Sequence, residues 1–146
     1  MKKFRFRLQV VLDMREKELE ERQMEMARIV TALNTQQEKL QNIFQRQREN
    51  TLMQETLAAA ENLDIQLEEH RTFGIKLIGD AKNQERIIAN TKTILERKQL
   101  EVKEAYQKVE TLKKLKEKQE KEFYKEFLHA EMKEIDDITS ARFKIG

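Results

Sequence analysis

The chain contains no proline, no cysteine and no tryptophan, and only three glycines in 146 residues: Gly74, Gly79 and Gly146. Average usage would supply roughly ten glycines and seven prolines at this length. Turns draw on both residues, so their scarcity excludes a turn-rich α/β or all-β domain and predicts a few long helices. The absence of cysteine excludes a disulfide scaffold, a thiolate metal site and a cysteine nucleophile, and it fits a reducing compartment. Aromatic residues make up only 6% of the chain, too little apolar bulk for a wide core. No stretch approaches the 18 or so consecutive apolar residues of a membrane-spanning helix. The basic start MKKFRFRL is followed by only Val10-Val11-Leu12 before Asp13, too short a run for a signal peptide. The expected location is therefore the cytosol. Neither sign of charge is in excess, with 29 basic against 27 acidic residues. No global field gathers nucleic acid or anionic lipid.

What remains is helix-forming and charged. Asp, Glu, Lys and Arg are 38% of the residues, and Lys, Glu, Gln, Leu, Arg and Ala dominate, all strong helix formers. Apolar residues recur in alternating steps of three and four, the mark of a coiled-coil seam. One series runs Leu8, Leu12, Arg15, Leu19, Arg22, Met26, Ile29, Leu33, Gln36, Leu40, Ile43, Gln47, Asn50. A second runs Ala81, Gln84, Ile88, Thr91, Leu95, Lys98, Val102, Ala105, Val109, Leu112. Each series gives a helix with one sticky stripe and several polar interruptions. A lone amphipathic helix cannot bury its stripe, so the two are expected to fold on each other. The fold class is all-α, a long antiparallel two-helix coiled-coil hairpin.

Two sites compete for the turn. Glu61-Asn62-Leu63-Asp64 holds two helix-capping residue types. Gly74 to Asp80 holds the only internal glycines, each costing about 1 kcal/mol inside a helix. The Lys-rich stretch from Lys113 to Lys125 reads as a solvated helix surface with i,i+4 pairs such as Glu117 with Lys121.

No catalytic or cofactor chemistry is visible. The two histidines, His70 and His129, lie far apart and in no metal-ligand spacing. There is no phosphate-binding glycine loop, and a two-helix rod offers little concavity for a catalytic pocket. The chain reads as a protein-binding component, not an enzyme, with no cofactor, no metal and no nucleic-acid partner.

Three surfaces carry candidate contacts. In Phe4-Arg5-Phe6-Arg7, aromatics interleaved with basic residues can contact phosphates and stack on bases, but the favoured reading is that Phe4 and Phe6 staple the start of helix 1 to helix 2 or present a protein-partner site. Phe123-Tyr124-Lys125-Glu126-Phe127-Leu128 places Phe123 and Phe127 against Phe4, Phe6 and Leu8, or leaves them on an uncovered overhang. In Phe73-Gly74-Ile75-Lys76-Leu77-Ile78-Gly79, the pair Phe73 and Leu77 lies i,i+4 on one face. If Ile75 and Ile78 face helix 1, Phe73 and Leu77 point outward as a docking patch; the competing reading is that the stretch packs locally around the turn and that Phe73 and Leu77 are hairpin core.

The two ends of the chain resemble a known family. The opening Phe4-x-Phe6-x-Leu8-x-x-Val11-Leu12-x-x-Arg15-x-x-Glu18 is similar to the start of the FliJ family of flagellar export proteins. The ending Glu131-x-Lys133-x-Ile135-Asp136-Asp137-Ile138, with Arg142 beyond, resembles that family's C-terminal signature. The resemblance implies an antiparallel helical hairpin similar in shape to the stalk of rotary ATPases. It further implies binding to the flagellar export ATPase, promotion of that ATPase's ring assembly, and contacts with the cytoplasmic domain of the export-gate membrane protein and with export chaperones. Peripheral attachment to the cytoplasmic face of the membrane through the export apparatus follows, without insertion. In the family a Phe and a Leu four apart early in helix 2 contact the gate, and Phe73 and Leu77 match them. The small residue that follows in the family is Asp80 here. The match favours the turn near 61, giving one coiled-coil domain over 1–146 with helix 1 at about 5–58, the turn at about 59–64 and helix 2 at about 65–140. A generic coiled-coil spacer or adaptor and the equivalent stalk of a virulence-type secretion system are the alternatives.

Overall fold

In the computed structural model, which describes residues 2–60 and 64–145, two helices account for nearly all of the chain. Helix α1 spans Gln9–Ala59 and α2 spans Asp64–Ile145. The start of α1 is tied down locally. The Gln9 amide donates to the Phe6 carbonyl at 3.1 Å, Leu12 donates to Leu8 at 2.9 Å, and the Gln9 side-chain amide reaches Asp13 Oδ1 at 2.8 Å. The two backbone bonds occupy amides at the helix N-terminus, where the first four lack partners within the helix itself. At the other end Ala60 donates to the Leu57 carbonyl at 3.2 Å, the tightened last turn common at helix C-termini. The expected turn at about 59–64 includes Asn62, and residues 61–63 lie outside the described residues. Helix α2 passes through Gly74 and Gly79 without a break.

The burial pattern follows the three-four periodicity. Every α1 position from Leu8 to Asn50 in the first series is buried or half-buried, while most positions between them are exposed. Later residues of α1 pair with earlier residues of α2, so the packing is antiparallel, and the fold is a helical hairpin. The chain divides into two compact units, one of residues 1–22 with 102–146 and one of residues 23–101.

In the first unit the seam centres on an apolar cluster, with Arg15 and Arg22 half-buried along it. Phe6, Leu12 and Val109 form a buried cluster, with Phe4, Leu8, Leu19, Leu112 and Leu115 packed around it. Residues 2–8 approach this cluster as a non-helical segment whose side chains alternate. Phe4 and Phe6 turn inward while Lys3, Arg5 and Arg7 are exposed. Burying side chains such as Leu12 and Val109 contributes about 1.5–3 kcal/mol each.

In the second unit apolar and polar layers alternate. Leu77, Ala81 and Ile88 are buried, and so are the polar Asn50 and Gln84. The Gln84 side-chain amide donates to the Gln36 carbonyl at 2.9 Å and to Gln36 Oε1 at 2.6 Å. Nearer the turn, Asn50 Nδ2 and Gln54 Nε2 both donate to the His70 carbonyl, at 2.9 and 3.1 Å. With its amide nitrogen so committed, Asn50 turns Oδ1 to His70 Nδ1 at 3.0 Å, and the ring nitrogen is the donor. Gly74 makes room for this layer, since a Cβ there would lie 2.9 Å from Asn50 Nδ2 and 3.2 Å from Gln54 Nε2. The third layer is ionic: Lys98 Nζ sits 3.2 Å from Glu25 and 3.3 Å from Glu101. Among the described residues no buried side-chain nitrogen or oxygen lacks a partner, as polar groups in a seam require.

Candidate protein-docking surfaces

A helix that pairs along one stripe leaves its other faces to solvent, so a docking surface should be an apolar group off the seam. Two such groups stand out. The first lies early in α2. Here the seam positions are His70, Gly74, Leu77, Ala81 and Gln84, all buried or half-buried. Leu77 is only 2% exposed, which corrects the expectation that it points outward beside Phe73. The outward residues are Ile75 at 72% and Ile78 at 53%, with Phe73 at 40% on the flank. The physical reason is phase. Stepping back from Ala81 by four and three residues lands on Leu77 and then Gly74, and the second series extends to them. A shallow depression beside this region is lined by Ile65, Glu68, Glu69, Thr72, Phe73 and Lys76. Phe73 thus belongs to an accessible mixed apolar and charged surface, and Leu77 belongs to the seam.

The second group lies at the C-terminal end of α2, in the first unit. From Leu128 to Phe143 every residue is exposed. Leu128, Met132 and Ile135 follow one another at steps of four and three, a single apolar stripe, with Ile138 beside it. That spacing is present in the sequence itself, directly after the more conspicuous aromatic cluster at Phe123.

The aromatic candidates separate from this stripe. The Phe4 and Phe123 rings lie 5.8 Å apart at 52°, and Phe123 meets Tyr124 edge-on at 5.4 Å. Both distances are within the range of favourable aromatic pairing. Phe6 is in the core and Phe127 is half-buried. Phe4, Phe6 and Phe123 therefore hold the N-terminal segment onto α2, and Phe127 marks the last half-buried position before the exposed stretch.

Charge on these faces is mostly solvated. Lys121 and Glu117 pair at 3.2 Å with both side chains largely exposed, a pairing of at most modest value. At Lys98, hydrogen bonds to Glu25 and then Glu101 hold the ammonium above the ordinary lysine range. His70 is absorbed in the seam layer with Asn50. Among the described residues no group of His, Asp and Glu side chains is arranged to hold a metal ion. No helix there is long and apolar enough to cross a membrane.

A family model described as flagellar FliJ protein matches residues 4–144. No curated protein and no solved structure matches.

Proposed function

The chain belongs to the flagellar FliJ protein family, and on that premise we propose that it is a non-enzymatic helical element that binds the flagellar export ATPase. It is a component of flagellar export. In this reading it promotes assembly of the ATPase ring and links the ring to the export gate and to export chaperones, at the cytoplasmic face of the membrane and without inserting into it. The observation that carries the ATPase contact is the C-terminal stretch of α2. A helix that exposes Leu128, Met132 and Ile135 as a continuous stripe leaves apolar area in water that a partner can cover. Burial of such side chains is worth about 1.5–3 kcal/mol apiece, enough for three of them to dominate a protein contact.

The test is stimulation of the cognate export ATPase by the full chain. Addition of the wild-type chain is expected to raise ATP hydrolysis and the fraction of ATPase in rings. Met132→Asp with Ile135→Asp should abolish both effects while leaving the circular-dichroism spectrum and melting temperature unchanged, because both side chains are already in solvent. Stimulation by the double variant equal to wild type would count against the contact.

For the gate, the accessible candidates are Phe73 with Ile75 and Ile78. Leu77 supports this surface from beneath, because it faces α1. Phe73→Ala should weaken gate binding with little change in melting temperature.

A further inference from the structure

The polar layers of the second unit share one spacing. From Asn50 to Gln36 is fourteen residues back along α1, and from His70 to Gln84 is fourteen residues on along α2. Another fourteen residues along α2 reach Lys98, the cation of the ionic layer. Fourteen residues are two heptads, so these layers recur at every second heptad; between them the seam is mainly apolar or small, with Gln47 and Thr91 half-buried as further polar positions. We propose that these layers are a register lock: they make slippage of the hairpin by one heptad unfavourable and so hold α1 and α2 at a single axial setting.

A purely apolar seam has no such preference. Coiled-coil stripes repeat every heptad, so sliding one helix by seven residues again sets apolar against apolar. With the observed layers the same slide is costly. Displacement in one direction sets Gln84 against Ile43, His70 against Leu57 and Asn50 against Leu77. Displacement in the other sets Gln84 against Ile29 and His70 against Ile43. In each case an amide or imidazole that is hydrogen-bonded in the observed register faces aliphatic carbon and loses its partner. An unsatisfied polar group in a seam is far more unfavourable than a satisfied one is favourable. The bonds are also specific at the side-chain level. Backbone carbonyls recur at every helical turn, but Gln36 Oε1 and Asn50 Oδ1 each occur at one height along the seam.

The absence of cysteine makes the test direct. Spin labels on Glu38→Cys and Lys92→Cys, both at exposed positions, are offset along the helix axis. Slippage by seven residues then changes their axial offset by about 10 Å. The full-length wild-type chain is expected to give one narrow distance distribution. Replacing both layers with Gln36→Leu, Asn50→Leu, His70→Leu and Gln84→Leu should raise the melting temperature and add a second, displaced distance population. Moving one partner by a heptad, with Gln36→Ile and Ile43→Gln, offers Gln84 a partner only in the slipped register and should populate the displaced distance in that direction. Either folded variant that keeps the single wild-type distance overturns the proposal. The leucine variant is the more stable of the two, so it decides the matter even where the relocated one fails to fold.

Discussion

The same two helices are joined by different chemistry in the two units. In residues 1–22 with 102–146 the seam is built on an apolar cluster of Phe6, Leu12 and Val109, flanked by the Phe4–Phe123 pair, with Arg15 and Arg22 half-buried along it. In residues 23–101 it is interrupted by buried amides, an imidazole and an ionic layer. Apolar packing is strong but indifferent to register, because one leucine fits against another almost as well as against a third. Polar layers contribute less net free energy but distinguish partners. The contrast assigns a job to each region. The apolar cluster supplies stability, and it does so in the unit that carries the exposed end of α2, where a partner would pull. The layered seam supplies specificity.

Truncating an apolar side chain in each unit gives the largest test of this contrast. Leu12→Ala and Leu77→Ala each remove a nearly fully buried leucine, a change that costs about 2–5 kcal/mol. The expected order is Leu12→Ala above Leu77→Ala. The vacancy at Leu12 is lined by apolar groups and stays empty, whereas the one at Leu77 lies close to Gly74 and the Asn50 layer, where water and mobile amides can relax into it. Urea unfolding of both variants, followed by circular dichroism at 222 nm, measures the difference. Equal or reversed losses would break the division between the apolar cluster and the layered seam.

The outcome at Leu77 also shows how far sequence reached. The hairpin and the α1 stripe are legible because eight of the thirteen successive three-four positions from Leu8 to Asn50 are apolar, enough to hold the phase across the polar ones. The α2 stripe is legible from Ala81 onward. Before Ala81 the seam positions are Leu77, Gly74 and His70, and two of these three carry no hydrophobic signal. Gly74 is there to let two amides reach the backbone, and His70 to complete their hydrogen bonds. A hydrophobic pattern therefore loses its phase just where polar chemistry replaces it, and Ile75 and Ile78 look like core although they face solvent. The aromatic residues were ambiguous for another reason. Whether Phe4 meets Phe123 depends on where α1 starts relative to α2, and that offset is set by the register, not by local sequence.

The two internal glycines give a smaller and more pointed test within the second unit. Both lie inside α2, where glycine is less favourable than alanine by about 0.5–1 kcal/mol. Around Gly79 nothing lies within 4 Å of a built Cβ, so Gly79→Ala should stabilise by that amount. At Gly74 the same gain is opposed. The new methyl group displaces Asn50 Nδ2 and Gln54 Nε2, and both hydrogen bonds to the His70 carbonyl weaken. With each bond worth about 0.5–1.5 kcal/mol net, Gly74→Ala should be neutral to destabilising. Melting curves of the two variants side by side provide the readout, and a stabilised Gly74→Ala would mean that the Asn50 layer contributes little.

The smallest effect is expected at the ionic layer, and its sign can be worked out. Glu25 and then Glu101 hydrogen-bond the Lys98 ammonium and raise its pKa above the ordinary lysine value of 10.5. A group whose pKa is higher in the folded state binds its proton more tightly there, so the protonated form of Lys98 favours the folded chain. The contribution is fully present below the unfolded lysine pKa and is lost as pH rises through the higher folded value. Lys98→Met keeps much of the aliphatic stem and removes the titrating group. The wild-type chain should therefore be the more stable of the two near neutrality, by a small margin because the ammonium remains solvated. The margin should shrink as pH is carried above 10.5. Urea midpoints for both chains at pH 8 and at several values above 10 measure it. The many other lysines titrate equally in both chains and cancel in the difference. A margin that stays constant across that range would show that the layer acts through packing of the lysine stem, and the layered seam would then owe its specificity to the amide layers alone.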